Sequence, residues 1–178
     1  MAKIDTDKLD LQERVVRTNK CQKTTKGGRT MSWSALVVVG DGKGHVGAGL
    51  GKARAIPDAI RKGMEAAKKS VIFFPIVSGT IPHEVLQNEG AAQILIKPAS
   101  AGTGIVAGSS MRTILELAGV HDVLGKSLGS ANPVNIAWAT IKALKRLKRA
   151  SDVARLRSTT VEALTPWAKK SEDATHAE

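Results

Sequence analysis

The stretch Met31-Ser-Trp-Ser-Ala-Leu-Val-Val-Val-Gly-Asp-Gly-Lys-Gly-His-Val-Gly-Ala-Gly-Leu50 decides how this chain folds. Residues 35–39 are nearly all apolar and read as a buried strand spanning residues 31–39. Gly40-Asp-Gly-Lys-Gly44 has the composition of a turn between antiparallel strands. Residues 45–50 then give a third strand, with Val46 and Leu50 facing inward. Upstream, residues 13–25 read as a first strand because Val15, Val16 and Thr18 favour pleated structure. Lys23-Thr-Thr-Lys-Gly-Gly-Arg29 breaks that strand as a cationic loop. Lys20, Lys23, Lys26 and Arg29 surround Gly27 and Gly28 there, with no acid among them. Downstream, residues 56–69 read as an amphipathic helix. Pro57 suits its first position, and Ile56, Ala59, Ile60, Met64 and Ala67 fall together at helical spacing. The first unit is therefore three strands followed by a helix.

The second half starts after an apolar connection, residues 71–82, that carries some strand content and holds the domain boundary. A strand is expected over residues 91–97 and a loop of small residues over 98–108. A short helix over residues 109–118 and an extended piece over 121–128 follow. Asn132-Pro133 is a strong helix start, a capping side chain followed by proline in the first turn. The helix is expected to run to about Arg149, burying Ile136, Ala137, Ile141 and Leu144 and ending in Lys142, Lys145, Arg146, Lys148 and Arg149. A last short helix is expected over residues 158–164. The division is a flexible start (residues 1–10), an N-terminal domain (11–73), a C-terminal α+β domain (74–150), and a terminal helix with a disordered tail (151–178).

Composition narrows the function. Lys and Arg number 27 against 16 Asp and Glu, a net charge of +11, which favours polyanionic partners. Cys21 is the single cysteine, so no internal disulfide forms, which suits a reducing cytosol. The N-terminus has no apolar core of a secretory signal, and no apolar run approaches the roughly 20 residues of a membrane helix. With aromatic residues at 3%, a stacking platform for bases is not expected, and contacts to phosphate, sugar and RNA shape are.

Several motifs fall short of catalytic sites. Gly42-Lys-Gly-His-Val-Gly47 matches a dinucleotide-binding pattern, but those glycines must open directly into a helix. Here the chain continues as Ala48-Gly-Leu-Gly51. A tight hairpin with a glycine-rich strand fits better, and glycine lets another backbone, a phosphate backbone included, come close. His83-Glu-Val-Leu-Gln87 lacks the second histidine of a zinc-protease helix. Gly125-Lys-Ser127 lacks the glycine five positions earlier, where Val120 stands. Gly108-Ser-Ser110 lacks the second glycine of a nucleophile elbow. No metal, no cofactor, no small-molecule substrate and no enzymatic reaction is expected.

The cations of residues 20–29 are the best binding candidates, since crowded like charges become favourable when they displace counterions from phosphates. A merely solvated loop is the alternative. The basic end of the long helix leaves the same choice open. Asn132 reads first as a helix cap, and Ser130 and Asn132 could still meet a phosphate, because helix N-termini attract anions.

Lys26-Gly-Gly-Arg-x-x-x-Trp33 through Gly47, then Gly49-Leu-Gly-Lys-Ala53, resembles the signature of bacterial small-subunit ribosomal protein S-five. Thr80-Ile-Pro-His-Glu-Val85, Lys97-Pro-Ala-Ser-x-Gly-Thr-Gly104, Leu115-Glu-Leu-Ala-Gly-Val120 and Gly129-Ser-x-Asn-Pro133 follow in order, so the resemblance covers about Leu9 to Leu147. The family usually has Phe or Tyr where this chain has Trp33, and small residues including glycine where it has Ser109-Ser110. The resemblance implies an N-terminal domain similar to double-stranded-RNA-binding domains and a C-terminal α+β domain with a left-handed β-α-β crossover. It implies binding to small-subunit ribosomal RNA in the cytoplasm and contacts with the neighbouring proteins S-four and S-eight. It also implies a place near the path by which messenger RNA enters, and an influence on decoding accuracy. The RNA-facing residues would be Lys20, Lys23, Lys26, Gly27, Gly28, Arg29, Lys43, Lys52, Arg54, Ser130 and Asn132. The contact with S-four would fall at Thr103, Gly104 and Arg112.

Overall fold

The computed structural model describes residues 9–164. Expectations for the first eight residues and for the tail beyond residue 164 lie outside these. The chain up to Leu147 forms one compact unit, and Lys148 onward forms a second.

In the first unit, β1 (Gln12–Thr25), β2 (Gly28–Gly40), β3 (His45–Ala53) and β4 (Ile72–Phe73) make an antiparallel sheet in that order. Helix α1 (Ile56–Lys69) lies on one face. It begins at the expected proline, carries Asp58 in its first turn, and ends with Lys68 and Lys69 at the negative end of its dipole. Its buried stripe is Ala59, Gly63 and Ala67, whereas Ile56, expected inside, is 38% exposed. That stripe meets Gly47, Gly49 and Gly51 of β3. A Cβ on these glycines would stand 2.4 Å from the Ala67 carbonyl oxygen, 2.2 Å from that of Gly63 and 1.9 Å from that of Ala59. The backbone these glycines admit is thus the protein's own helix.

The other face of the sheet carries Leu36, Val38, Val46 and Ala48 into a core shared with the second half of the chain. Helices α2 (Ser109–Ala118) and α3 (Pro133–Lys145) pack against it. On their far side lies a second sheet, in the order β5 (Val85–Glu89), β6 (Ala92–Pro98), β8 (Val123–Gly129), β7 (Ile105–Val106). The layers are therefore α1, first sheet, α2 with α3, second sheet. β7 and β8 are parallel and joined through α2, a β-α-β unit in an otherwise antiparallel sheet. The expected α+β class, with three strands and a helix first, is the architecture found.

Local signals set most boundaries. Helix α2 ends at Gly119 in the left-handed conformation, where Val120 N–H reaches the Leu115 carbonyl. Asn132 caps α3 by accepting from Val134 N–H at 3.2 Å. Other expectations need correction. α3 stops at Lys145, four residues early. Its last turn tightens into bonds from Arg146 N–H to the Ala143 carbonyl and from Leu147 N–H to the Leu144 carbonyl, and Leu147 is buried. Ile136 is only partly buried. Leu50, expected inward, is 46% exposed because the core beneath its face of β3 ends at Ala48. β4 falls within the connection expected to carry strand content, and β5 stands where no element was expected.

The second unit holds α4 (Ala150–Arg157), which was not anticipated, and the short α5 (Val161–Leu164), inside the expected residues 158–164. α4 closes on Ser158 at φ +51°, with Thr159 N–H reaching the Ala154 carbonyl.

Candidate nucleic-acid interface

The expected cationic loop is an antiparallel arm. β1 runs unbroken to Thr25 and β2 starts at Gly28, so only Lys26 and Gly27 form the turn. The tip is held by Thr25 Oγ1 donating to the Gly28 carbonyl, and Gly28 has φ +134°, a conformation side chains rarely adopt. Residues 17–31 are all exposed. From Arg17 to Thr25 the arm extends about 27 Å at the usual strand rise. A strand buried on neither side has no alternation of apolar residues, so no hydrophobic signal marks this part of the hairpin.

At the root of the arm the register slips between Val15 and Arg17, and Val16 turns into the core there. Beyond it, paired residues share a face. Arg17, Asn19, Cys21 and Lys23 lie with Ser34, Ser32 and Thr30 on one side. Thr18, Lys20, Gln22 and Thr24 lie with Ala35, Trp33, Met31 and Arg29 on the other. The cations at Arg14, Arg17, Lys20, Lys23, Lys26 and Arg29 recur every third residue. A spacing of three on a strand of period two sends successive cations to opposite faces. That spacing is the signal by which the two-sided display could have been found.

Arg14 is committed to the fold, paired with Glu116 of α2. Arg17 Nε donates to Asn19 Oδ1 at 3.3 Å. Lys20, Lys23, Lys26 and Arg29 have no acidic partner among the described residues, and none of the residues 14–40 is acidic. Lys52 joins the arm at its base, opposite Ser34 in the register, and Arg54 follows the end of β3.

The other expected residues lie elsewhere. Lys43 sits in the β2–β3 turn, about 40 Å of strand away from Gly28 along β2. This turn is built around Asp41, whose Oδ1 accepts from Lys43 N–H at 2.7 Å and His45 N–H at 3.1 Å. Asp41 Oδ2 accepts from His45 Nδ1 at 2.6 Å. Burial pushes the Asp41 carboxyl up, but these backbone and imidazole donors outweigh it and hold the pKa below its ordinary value. The turn docks on α2 through Gly42 N–H to the Leu117 carbonyl and Gly44 N–H to that of Ala118. The Gly42-x-Gly-x-x-Gly47 pattern thus closes a hairpin and opens no helix. Ser130 and Asn132 lie in the β8–α3 loop, where Ser130 Oγ accepts from Asn132 N–H. Of the basic end of α3, Lys142 pairs with Glu89, and Arg146 Nη1 donates to Gln87 Oε1, which ties both to β5. Thr103 and Arg112 are exposed, and Gly104 N–H donates to Asp122 Oδ1 at 2.8 Å.

The outer face of the second sheet was not anticipated as a surface. Leu86, Leu95, Leu124, Leu128 and Val106 fall on it by register, with Lys97 and Lys126 among them. Val106 is 53% exposed and Leu86 51%.

These features define a basic type of α+β scaffold that carries an exposed cationic arm. Two family descriptions cover it. Residues 11–75 match "Ribosomal protein S5, N-terminal domain", and residues 87–157 match "Ribosomal protein S5, C-terminal domain". The chain belongs to the ribosomal protein S5 family. It is accordingly a structural protein of the small ribosomal subunit that binds ribosomal RNA. No described helix is long and apolar enough to cross a membrane.

Proposed function

We propose that the β1–β2 arm is the element that grips small-subunit ribosomal RNA, inserted between two RNA segments so that phosphates lie against both of its faces. Lys23 serves one face, Lys20 and Arg29 the other, and Lys26 the tip, while Gly27 and Gly28 keep the tip slender. Lys52 and Arg54 engage the backbone at the base of the arm. Lys43, Ser130 and Asn132 act as separate phosphate contacts on other elements. The observation that carries this reading is the set of exposed cations without acidic partners on a paired, two-sided hairpin. Such charges gain most where condensed counterions are released.

The assignment of partners follows the remaining surfaces. The exposed leucines and Val106 of the second sheet suit a protein neighbour, and we assign that face to S-eight. The corner of Thr103, Gly104 and Arg112 meets S-four. Through that corner and the arm, the chain influences decoding accuracy near the path by which messenger RNA enters. Residues 11–73 and 74–150 act as the RNA-facing and protein-facing domains of one cytoplasmic scaffold.

The test replaces both Lys23 and Lys26 by Ala and follows binding of small-subunit RNA across a salt series. Each lost phosphate contact should make the log–log salt slope shallower by about one unit. The fold should be unchanged, because both residues are exposed. An unaltered slope and affinity would remove the arm from the interface.

A further inference from the structure

The two faces of the arm differ in chemistry as well as in direction. The face of Arg17, Asn19, Lys23, Ser32 and Ser34 offers cations, an amide and hydroxyls. The opposite face carries the large apolar side chains of the arm. Met31 is 48% exposed there. Trp33, two residues on, is only partly buried and rests against the cluster of Ala35, Val37 and Ala59. Lys20, its cross-strand partner, holds its ammonium over the indole at 5.9 Å from the ring centroid.

We propose that Trp33, flanked by Met31, is a stacking platform for one unpaired nucleobase, and that Lys20 is its removable cover. The inference rests on the reading that the arm binds RNA. The core cluster fixes the ring, so little side-chain freedom is lost when a base arrives. An exposed ammonium–indole contact is weaker than a base stacked on an aromatic face, so the base wins the ring. The displaced ammonium stays within reach of the phosphate attached to that base and exchanges a ring for a full counter-charge. A face with no acidic residue does not oppose the approach of the nucleotide. Scarcity of aromatic residues argues against a row of stacked bases, but a single platform needs one ring, and the fold puts that ring among the arm's cations.

The test uses the full chain with Trp138→Phe and Trp167→Phe, which leaves Trp33 as the single indole. Labelled small-subunit ribosomal RNA is titrated while RNA anisotropy and indole emission are followed together. Emission should be strongly quenched in step with the anisotropy rise. In the otherwise wild-type chain, Trp33→Leu should weaken binding roughly tenfold without changing the salt slope, and Trp33→Phe should restore most of the affinity. Inorganic polyphosphate, which has the charge but no base, should compete for the arm without comparable quenching. Binding with unchanged emission, equal quenching by polyphosphate, or wild-type affinity in Trp33→Leu would each overturn the platform while leaving the arm as an RNA site. Absence of any anisotropy rise would instead overturn the RNA reading of the arm, and the platform with it. Should Trp33→Leu fail to fold, the emission titration and the Phe variant still decide.

Discussion

Gly49 of β3 and Gly63 of α1 lie so close that a Cβ on Gly49 would stand 2.2 Å from the Gly63 carbonyl oxygen and 2.4 Å from the Ala67 amide nitrogen. Both obstacles are backbone, so no side-chain rotation relieves them. Gly49→Ala must push α1 off the first sheet, and overpacking of this kind costs about 3 kcal/mol. For a chain of this length that corresponds to a fall in melting temperature of roughly 6–12 °C. Gly27→Ala is the control: its Cβ would meet nothing within 4 Å, and the melting temperature should stay within the effect of about 0.5 kcal/mol.

The Asp41 turn should give the protein an acid-sensitive contribution. The folded carboxyl has a pKa below its ordinary 3.8, so the unfolded chain takes up that proton more readily. Its stabilisation is fully present above the ordinary value and is lost as pH falls through the folded one. Asp41→Asn keeps an acceptor for the two amides but places an amide NH2 against His45. We expect a loss of about 1–2 kcal/mol near neutral pH, read by urea denaturation. The gap between variant and parent should narrow as the pH is lowered past 3.8. A constant gap across that range would mean that the carboxylate charge plays no part.

Asn132 and α3 allow a separation of cap from ligand. Removing the acceptor that Val134 N–H uses should cost about 1 kcal/mol in Asn132→Ala and little in Asn132→Ser, measured by chemical denaturation. If Asn132 also meets a phosphate, the Ala variant should lose RNA affinity beyond what its stability change accounts for. Equal affinities would assign the residue to the helix alone.

The outer face of the second sheet makes a prediction about protein partners. Leu86 and Leu124 are 51% and 41% exposed, so exchanging both for Lys should leave the fold within about 1 kcal/mol of the parent. Incorporation into reconstituted small subunits, and binding to purified S-eight, should drop at least tenfold. Undiminished S-eight binding would place that contact on another surface.

Much of the fold is legible because its signals are local. Pro57 and the Lys68-Lys69 end mark α1, Asn132-Pro133 opens α3, Gly119 closes α2, and the apolar run 35–39 announces a buried strand. These depend on dihedral preferences and on periodicity within a few residues, and the sequence carries them whatever surrounds it. The cations of residues 20–29 were legible as a group for the same reason. Their division between two faces was legible too, in a spacing of three on a strand of period two, but the partners beside them, Trp33 opposite Lys20 and Thr30 opposite Lys23, were set by pairing across the hairpin. Tertiary contacts likewise decided that Gly47, Gly49 and Gly51 receive a helix, that Leu50 stays outside, and that Lys142 and Arg146 turn to β5. Residue type fixes what a position can tolerate or offer. Which neighbour meets it is set by pairing between segments distant in the chain, and no local pattern encodes that.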